Sequence, residues 1–198
     1  MLVAFDQKNV ELHPAQEQRK PTFEEAVEAI HLVLKYIGED TDREGLLETP
    51  ERVVRSFDEH FAGYKVDPKD HLQKTFEEVA GYQDIITLSD IPFESHCEHH
   101  MAPILGCATV SYLPKNRVVG ISKIARVVDV FSKRLQTQEK LTSQICNAIQ
   151  EALDARGVRV TIKAEHHCMK TRGVHKDGIV MTTSCATGAL ENTDGDGH

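Results

Sequence analysis

The sequence lacks several features, and each absence argues against a class of protein. Its 198 residues contain no run of about 18 apolar residues, so no segment is predicted to span a membrane. Positive charge is not in excess, because 23 Lys and Arg stand against 31 Asp and Glu, which gives a net charge of −8. General binding to nucleic acid or to a membrane surface needs a basic face and is therefore not expected.

Cysteine is scarce and odd in number. Five widely spaced cysteines do not suit the disulfide framework of a small secreted domain. The first nine residues also lack the apolar core of a signal peptide. We therefore expect a cytoplasmic protein, in which cysteine serves as apolar filler or in metal and catalytic chemistry.

The amino-terminal part is predicted to be helical. Residues 1–20 are unpatterned and are expected to form a flexible segment, followed by an N-terminal helical region over residues 21–80. One helix is predicted to begin after Thr22, with Glu25 completing a capping box. A second is predicted to begin with Thr49 as its N-cap and proline in its first turn.

From residue 81 to 190 the pattern changes to short β-branched segments around two helices. The helices are marked by apolar residues from Ile124 and from Leu141, and Gly157 is expected to close the second. Strands followed by helices and then strands predict an α+β fold, an antiparallel sheet with helices on one face. A Gly- and Asp-rich tail, residues 191–198, is expected to be disordered. The predicted strands are 85–93, 105–113, 117–121, 158–165 and 179–189.

Two short runs concentrate metal-binding residues. His96–His100 and His166–Cys168 hold five of the 11 histidines and two of the five cysteines. Thiolate and imidazole together are the donors that zinc prefers, and Cys97-x-x-His100 is a workable chelate spacing. A structural site remains an alternative at this point, because one of the neighbouring histidines could supply a fourth ligand. Those histidines are His96, His99, His166 and His167.

Other nucleotide and zinc signatures are absent. The HExxH motif, the second C-x-x-C half of the deaminase motif, the GxGxxG loop and the P-loop do not occur. Any phosphate would therefore have to be bound by side chains.

Five motifs in order resemble GTP cyclohydrolase I, and the resemblance runs from about residue 22 to residue 190. It implies the tunnelling fold, in which identical subunits join their sheets into a barrel, and a homo-oligomer, which we expect to be a homodecamer built as a dimer of pentamers. The motifs are Glu48–Val53 (ETPERV), Cys97–His100 (CEHH), Gly120–Arg126 (GISKIAR), Gln136–Thr142 (QTQEKLT) and His166–Gly173 (HHCMKTRG).

The resemblance implies a zinc ion held by Cys97, His100 and Cys168. Three protein ligands leave one position open, which is the mark of a catalytic zinc site. The implied activity is hydrolysis and rearrangement of GTP to 7,8-dihydroneopterin triphosphate and formate, the first step of tetrahydrofolate and pterin biosynthesis. His99, His166 and Ser122 are the implied catalytic residues, with His166 serving the guanine N7 and His99 the ribose oxygen. Support of the metal ligands is the alternative role for the two histidines.

Substrate-binding residues are also implied by the motifs. Glu139, with Gln138 beside it, is the implied reader of the guanine edge, although an exposed helix-start acid is the simpler interpretation without the family. The triphosphate is expected to contact Ser122, Lys123, Arg126, Arg172, Arg52 and Arg55. Residues outside the motifs are expected to be solvated helix charges (Lys133, Arg134, Lys140) or core filler (Cys107, Cys146, Cys185).

Two other functions remain open from the sequence. The first is a non-catalytic module of the same fold that keeps zinc in a closed four-ligand shell and binds a purine or pterin. The second is a different tunnelling-fold enzyme, to which the CEHH and HxC pair is less suited.

Overall fold

A computed structural model describes residues 19–72, 75–76 and 82–191 of the chain. The predicted flexible segment and tail lie almost entirely outside these residues. The chain divides into two compact units after Arg55, inside a helix. The predicted domain boundaries at residues 20, 80 and 190 stay predictions. None of the described helices is long and apolar enough to cross a membrane.

The amino-terminal unit confirms one helix start and corrects another. Helix α1 spans Phe23–Tyr36, and its capping box is formed because Thr22 Oγ1 accepts from the Glu25 N–H at 3.2 Å while the Glu25 carboxylate accepts from the Thr22 N–H at 2.8 Å. Helix α2, Thr49–His60, contains Thr49 instead of being capped by it. The Thr49 hydroxyl donates back to the Gly45 carbonyl at 3.4 Å, so it does not cap the helix that follows.

The second unit is built on a five-stranded sheet. Its order is β5-β2-β3-β6-β7, and all neighbours are antiparallel except β5 and β2. The short strands β1 and β4 pair with each other. The strands are β1 Thr75–Phe76, β2 Ile86–Cys97, β3 Pro103–Leu113, β4 Val118–Val119, β5 Leu135–Gln136, β6 Gly157–His166 and β7 Val180–Gly188.

Two long helices cover one face of this sheet. Helix α4 (Ile121–Ser132) packs on β2, helix α5 (Gln138–Leu153) packs on β6 and β7, and the two helices pack on each other. The predicted α+β class is confirmed. Helix α5 ends earlier than predicted, because Asp154 takes a left-handed conformation (φ 46°) and Gly157 begins β6. Two short helices complete the unit, α3 (Pro68–Leu72) and α6 (His167–Lys170).

A bulge interrupts strand β2. The register with β3 shifts between Leu88 and Ile91, and Asp90 has a positive φ of 54°. One extra residue on β2 makes the inward positions change parity along the strand. Before the bulge the even-numbered side chains are the less exposed ones, whereas after it the odd-numbered side chains up to Cys97 are buried.

Arg134 joins the end of α4 to an irregular segment. Its guanidinium donates to the carbonyls of Gly63 at 3.0 Å, Val130 at 3.1 Å and Val66 at 3.3 Å. It also lies 5.0 Å from the ring centroid of Phe131. The interpretation of Arg134 as a solvated charge was therefore wrong, since it satisfies backbone carbonyls that would otherwise lack partners.

Gly63 is predicted to be intolerant of even a methyl group. A Cβ there would lie 2.0 Å from the Val130 carbonyl oxygen and 2.7 Å from that of Lys133, both backbone atoms. We expect Gly63→Ala to lower the free energy of unfolding by about 1–3 kcal/mol through overpacking. Urea unfolding measures this loss. Gly120→Ala is the control, because its nearest heavy atom is the Lys123 Cγ at 3.8 Å; equal midpoints for the two variants would contradict the prediction.

Candidate metal centre

The sheet brings two distant parts of the chain to one edge. Strands β2 and β6 are both antiparallel to β3, so both end where β3 begins. Ile104 of β3 pairs with Ser95 on one side and His166 on the other. The residues that follow these strand ends, the CEHH and HxC motifs, are thereby neighbours in space.

A tight turn after β2 places the first two predicted ligands. The Cys97 carbonyl accepts from the N–H of His100 at 3.3 Å and of Met101 at 2.8 Å, and the Cys97 N–H donates to Ala102 at 2.8 Å. Met101 takes a positive φ of 52° to allow this closure. The turn leaves the Cys97 Sγ 3.8 Å from the His100 Nδ1.

Cys168 completes the group from helix α6, which follows β6 directly. Candidate ligand atoms of Cys97, His100 and Cys168 all lie within 4.8 Å of one another. Within the described ranges no fourth His, Cys, Asp or Glu joins them. Two thiols and one imidazole fit a metal ion of borderline softness with one coordination position left open. This arrangement does not favour the closed shell of the non-catalytic alternative.

The Cys168 thiol ionises less readily than an ordinary cysteine thiol. Burial raises the pKa of Cys168, and its contact with Cys97 raises that pKa further. A metal ion binds thiolates and must therefore displace protons, so its affinity falls as the pH falls.

Arg172 competes for the same imidazole. Its Nη1 lies 2.9 Å from the His100 Nε2. A guanidinium can only donate, so this contact needs the lone pair of Nε2 and places the ring hydrogen on Nδ1. A metal on Nδ1 would move that hydrogen to Nε2, and a metal on Nε2 would take its lone pair. Metal binding at either nitrogen is incompatible with the Arg172 contact.

His166 stands beside the group and is held by a buried amide. Its Nε2 lies 2.8 Å from the Oε1 of Gln138, the first residue of α5, which is 1% exposed. Burial lowers the pKa of His166, and the nearby Glu139 charge opposes that shift. Glu139 itself is exposed in the first turn of α5, and exposed His99 has its ring centroid 6.2 Å from that of His100.

The predicted phosphate-binding residues of α4 lie away from the metal group of the same chain. The Val119 N–H, just before α4, donates to the Tyr112 hydroxyl at the far end of β3. The carboxyl end of α4 is the end near the metal group, since the Phe131 carbonyl accepts from Gln136, which pairs with Cys97. The predicted residues are in the first two turns, about 8–14 Å along the axis before Phe131. They are Ser122, Lys123 and Arg126.

The remaining predicted cations lie in the amino-terminal unit. Arg52 and Arg55 pair with Glu48 and Glu51, each one helical turn earlier, and Arg55 also lies over the Phe23 ring. These exposed pairs contribute little to stability, so both side chains are available to a ligand at small cost.

Other candidate residues have structural environments. His96 lies against the rings of His60 and Phe61 and does not join the metal group. Cys146 is fully buried, and burial together with Cys185 raises its pKa to about 12, which confirms its role as core filler.

Sequence reasoning missed that Gln138 is buried and supports His166. A signal for burial was present, because residue 138 continues the apolar spacing of α5 through Leu141, Ile145 and Ile149. The partner of its amide lies 28 residues away, and no local pattern shows it.

The chain is similar to proteins of one family. The family model described as GTP cyclohydrolase I matches residues 26–196. "GTP cyclohydrolase 1" of Maricaulis maris (strain MCS10) is 54% identical over 173 residues, 87% of this chain and 84% of that protein. The protein of the same name from Sinorhizobium fredii (strain NBRC 101917 / NGR234) is 55% identical over 172 residues, with the same coverage. Among solved structures, an archaeosine synthase QueF-Like in the apo form matches 55% of this chain and 98% of its own with 19% identity and a TM-score of 0.46.

Replacing Arg172 is predicted to tighten metal binding. Arg172→Met removes the competing donor and a nearby positive charge, so we expect the affinity for Co²⁺ to rise roughly two- to tenfold, the equivalent of one hydrogen bond. The thiolate-to-cobalt absorption, titrated against a chelator, measures this change. Arg126→Met removes an equal charge from α4 and serves as the control. An affinity that does not differ between the two variants would show that Arg172 does not compete.

Proposed function

The chain belongs to the GTP cyclohydrolase I family, and on that premise we propose that it is a zinc enzyme that converts GTP to 7,8-dihydroneopterin triphosphate and formate. The relatives that carry the name GTP cyclohydrolase 1 share more than half of their residues with it over 84% of their length. The tunnelling fold implied by the motifs agrees with its sheet order and its helices on one face. The reaction is the first step of tetrahydrofolate and pterin biosynthesis, and we place it in the cytoplasm.

The observation that carries the proposal is the open group of two thiols and one imidazole beside a half-buried histidine. Zinc is the ion that such a donor set prefers. Bound there by Cys97, His100 and Cys168, it would supply a Lewis acid and activate water near neutral pH.

The chain's own residues divide the remaining tasks. His166 exchanges a proton with the guanine N7, which makes C8 more electrophilic, and exposed His99 serves the ribose oxygen as that ring opens. Glu139 accepts two N–H groups of the guanine edge. Its place in the first turn of α5, next to the residue that holds His166, keeps base recognition and proton transfer on one rigid helix start.

The triphosphate site is proposed to be shared between copies of the chain. Arg172 lies beside the metal group, whereas Ser122 and Lys123 lie at the opposite end of α4 and Arg126 lies at its middle in the same chain. A second copy would have to bring its α4 to this edge, as expected for a homo-oligomer. We therefore propose the family's homodecamer, a dimer of pentamers, with Arg52 and Arg55 adding positive charge.

The test is formate release from GTP by purified protein, with zinc content measured on the same sample. Formate, a pterin that fluoresces after oxidation, and about one zinc per chain are the expected results. Folded, zinc-loaded protein that releases no formate would contradict the enzyme and leave a purine- or pterin-binding module. No observation on the described residues favours that module.

Two substitutions separate metal binding from proton transfer. Cys168→Ala is expected to remove both zinc and formate release, because the metal loses one of three ligands. His166→Ala is expected to keep most of the zinc and to lower kcat by a factor of about 10²–10⁴, the usual contribution of general acid–base catalysis. Zinc analysis and the formate assay on the same samples measure both effects.

Cys107→Ala is the matched control, since Cys107 is also partly buried and lies outside the metal group. Near-normal turnover in His166→Ala would show that His166 does not carry the proton.

A further inference from the structure

We propose that Gln138 is a positioning residue that fixes the orientation and tautomer of His166, so that Nδ1 is the ring nitrogen that exchanges the proton with substrate. The proposal rests on the proposed function only in giving His166 a proton to transfer. The tautomer itself follows from the hydrogen bonds of the folded chain.

The Gln138 side chain is buried among acceptors. Its Nε2 lies 3.1 Å from the Ile162 carbonyl, 3.0 Å from the Met181 carbonyl and 3.1 Å from the Thr183 Oγ1. The two carbonyls belong to neighbouring strands, β6 and β7, and they can only accept. Turning the amide over would place its oxygen against both of them and leave its NH₂ group against His166.

The third contact of the Gln138 Nε2, with the Thr183 hydroxyl, is also one in which Gln138 donates. The Thr142 hydroxyl lies 2.7 Å from the Gln138 backbone carbonyl and donates to it. It also lies 2.7 Å from the Thr183 hydroxyl, which must then be the donor between the two threonines. The Thr183 oxygen is left with its lone pairs towards the Gln138 amide. Three acceptors thus fix the NH₂ group on one side and the carbonyl oxygen on the other.

The orientation of the amide determines the state of the imidazole. The Gln138 Oε1 faces the His166 Nε2 at 2.8 Å and can only accept, so Nε2 carries a hydrogen. In the neutral ring the lone pair is then on Nδ1. Within the described part of the chain Nδ1 of His166 has no hydrogen-bond partner, which leaves it free for a ligand.

This role differs from the substrate contact that the sequence suggested for Gln138. Both of its N–H groups are used by the strands, and its oxygen is used by His166. The side chain has no donor left for a guanine base, whereas exposed Glu139 next to it keeps its carboxylate. Gln138 therefore acts on substrate through His166, and loss of its amide should affect kcat more than KM.

The direct test is ¹⁵N NMR in the solid state on zinc-loaded protein labelled at histidine, with His166 assigned by comparison with His166→Ala. We expect a single His166 signal pair with the hydrogen on Nε2. A hydrogen on Nδ1, or a mixture of tautomers in the wild-type protein, would overturn the proposal. This measurement needs no turnover, so it remains decisive even if the protein releases no formate and the proposed function fails.

Two substitutions test the consequence for catalysis. Gln138→Met keeps the length of the side chain and removes the acceptor, and we expect kcat to fall about tenfold or more, with KM for GTP within about twofold and a changed His166 spectrum. Gln138→Glu keeps an oxygen facing Nε2, and its second oxygen, when protonated, can donate to one of the two strand carbonyls; it should retain the Nε2–H signal and more of the kcat than Gln138→Met. If neither variant folds, the NMR measurement on the wild-type protein still decides the proposal.

Gln150→Met is the matched control. Gln150 lies on the same helix, and its amide is also used internally, donating to the Ala155 carbonyl at 2.7 Å and accepting from the Thr187 hydroxyl at 2.8 Å. It should lose stability without changing the His166 spectrum. A raised KM with unchanged kcat and an unchanged spectrum in Gln138→Met would return Gln138 to substrate binding and refute the positioning role.

Discussion

The site depends on the antiparallel pairing of one strand with neighbours on both sides. Because β2 and β6 both run against β3, their carboxyl ends meet at a single edge, 69 positions apart in sequence at Cys97 and His166. Each strand end continues into a short, tightly bonded segment, a turn on one side and helix α6 on the other. The ligands of the metal group are therefore positioned by strand pairing and by two short hydrogen-bonded segments. No long loop has to become ordered to bring them together.

Behind this edge the core is polar where it would ordinarily be apolar. Gln136, Gln138 and Thr142 are each about 1% exposed, and every one of them bonds to backbone or to another side chain. The network of Gln138 and Thr142 is satisfied and stiffens what it contacts, whereas the buried Gln136 Oε1 has no hydrogen-bond partner among the described residues. Gln138 holds the His166 ring against the start of α5, and the backbone pairing of Gln136 with Cys97 holds strand β5 against the CEHH turn. The buried polar side chains of this region thus lie next to the site whose chemistry needs fixed geometry.

Local features could be predicted from the sequence, and long-range partners could not. The Thr22–Glu25 capping box and the Cys97–His100 spacing each depend on residues three apart, so their patterns are visible in the sequence. Arg134 was misjudged because its acceptors at Gly63 and Val66 are about 70 positions away. The grouping of Cys168 with the other two cluster residues came from a family resemblance, since it needs a sheet register that no local signal specifies.

The bulge in β2 determines which side chains after it face the core and which face outward. If the same residues paired without the bulge, each side chain after Leu88 would exchange faces, and His96 would point inward where the Cys97 thiol now does. The bulge at Asp90, seven positions before Cys97, therefore decides which side chain faces inward at the end of the strand without altering any residue of the motif. Deleting the extra residue would restore a regular ladder and keep the present faces, whereas a further insertion would need a second bulge before the motif to keep the Cys97 thiol inward.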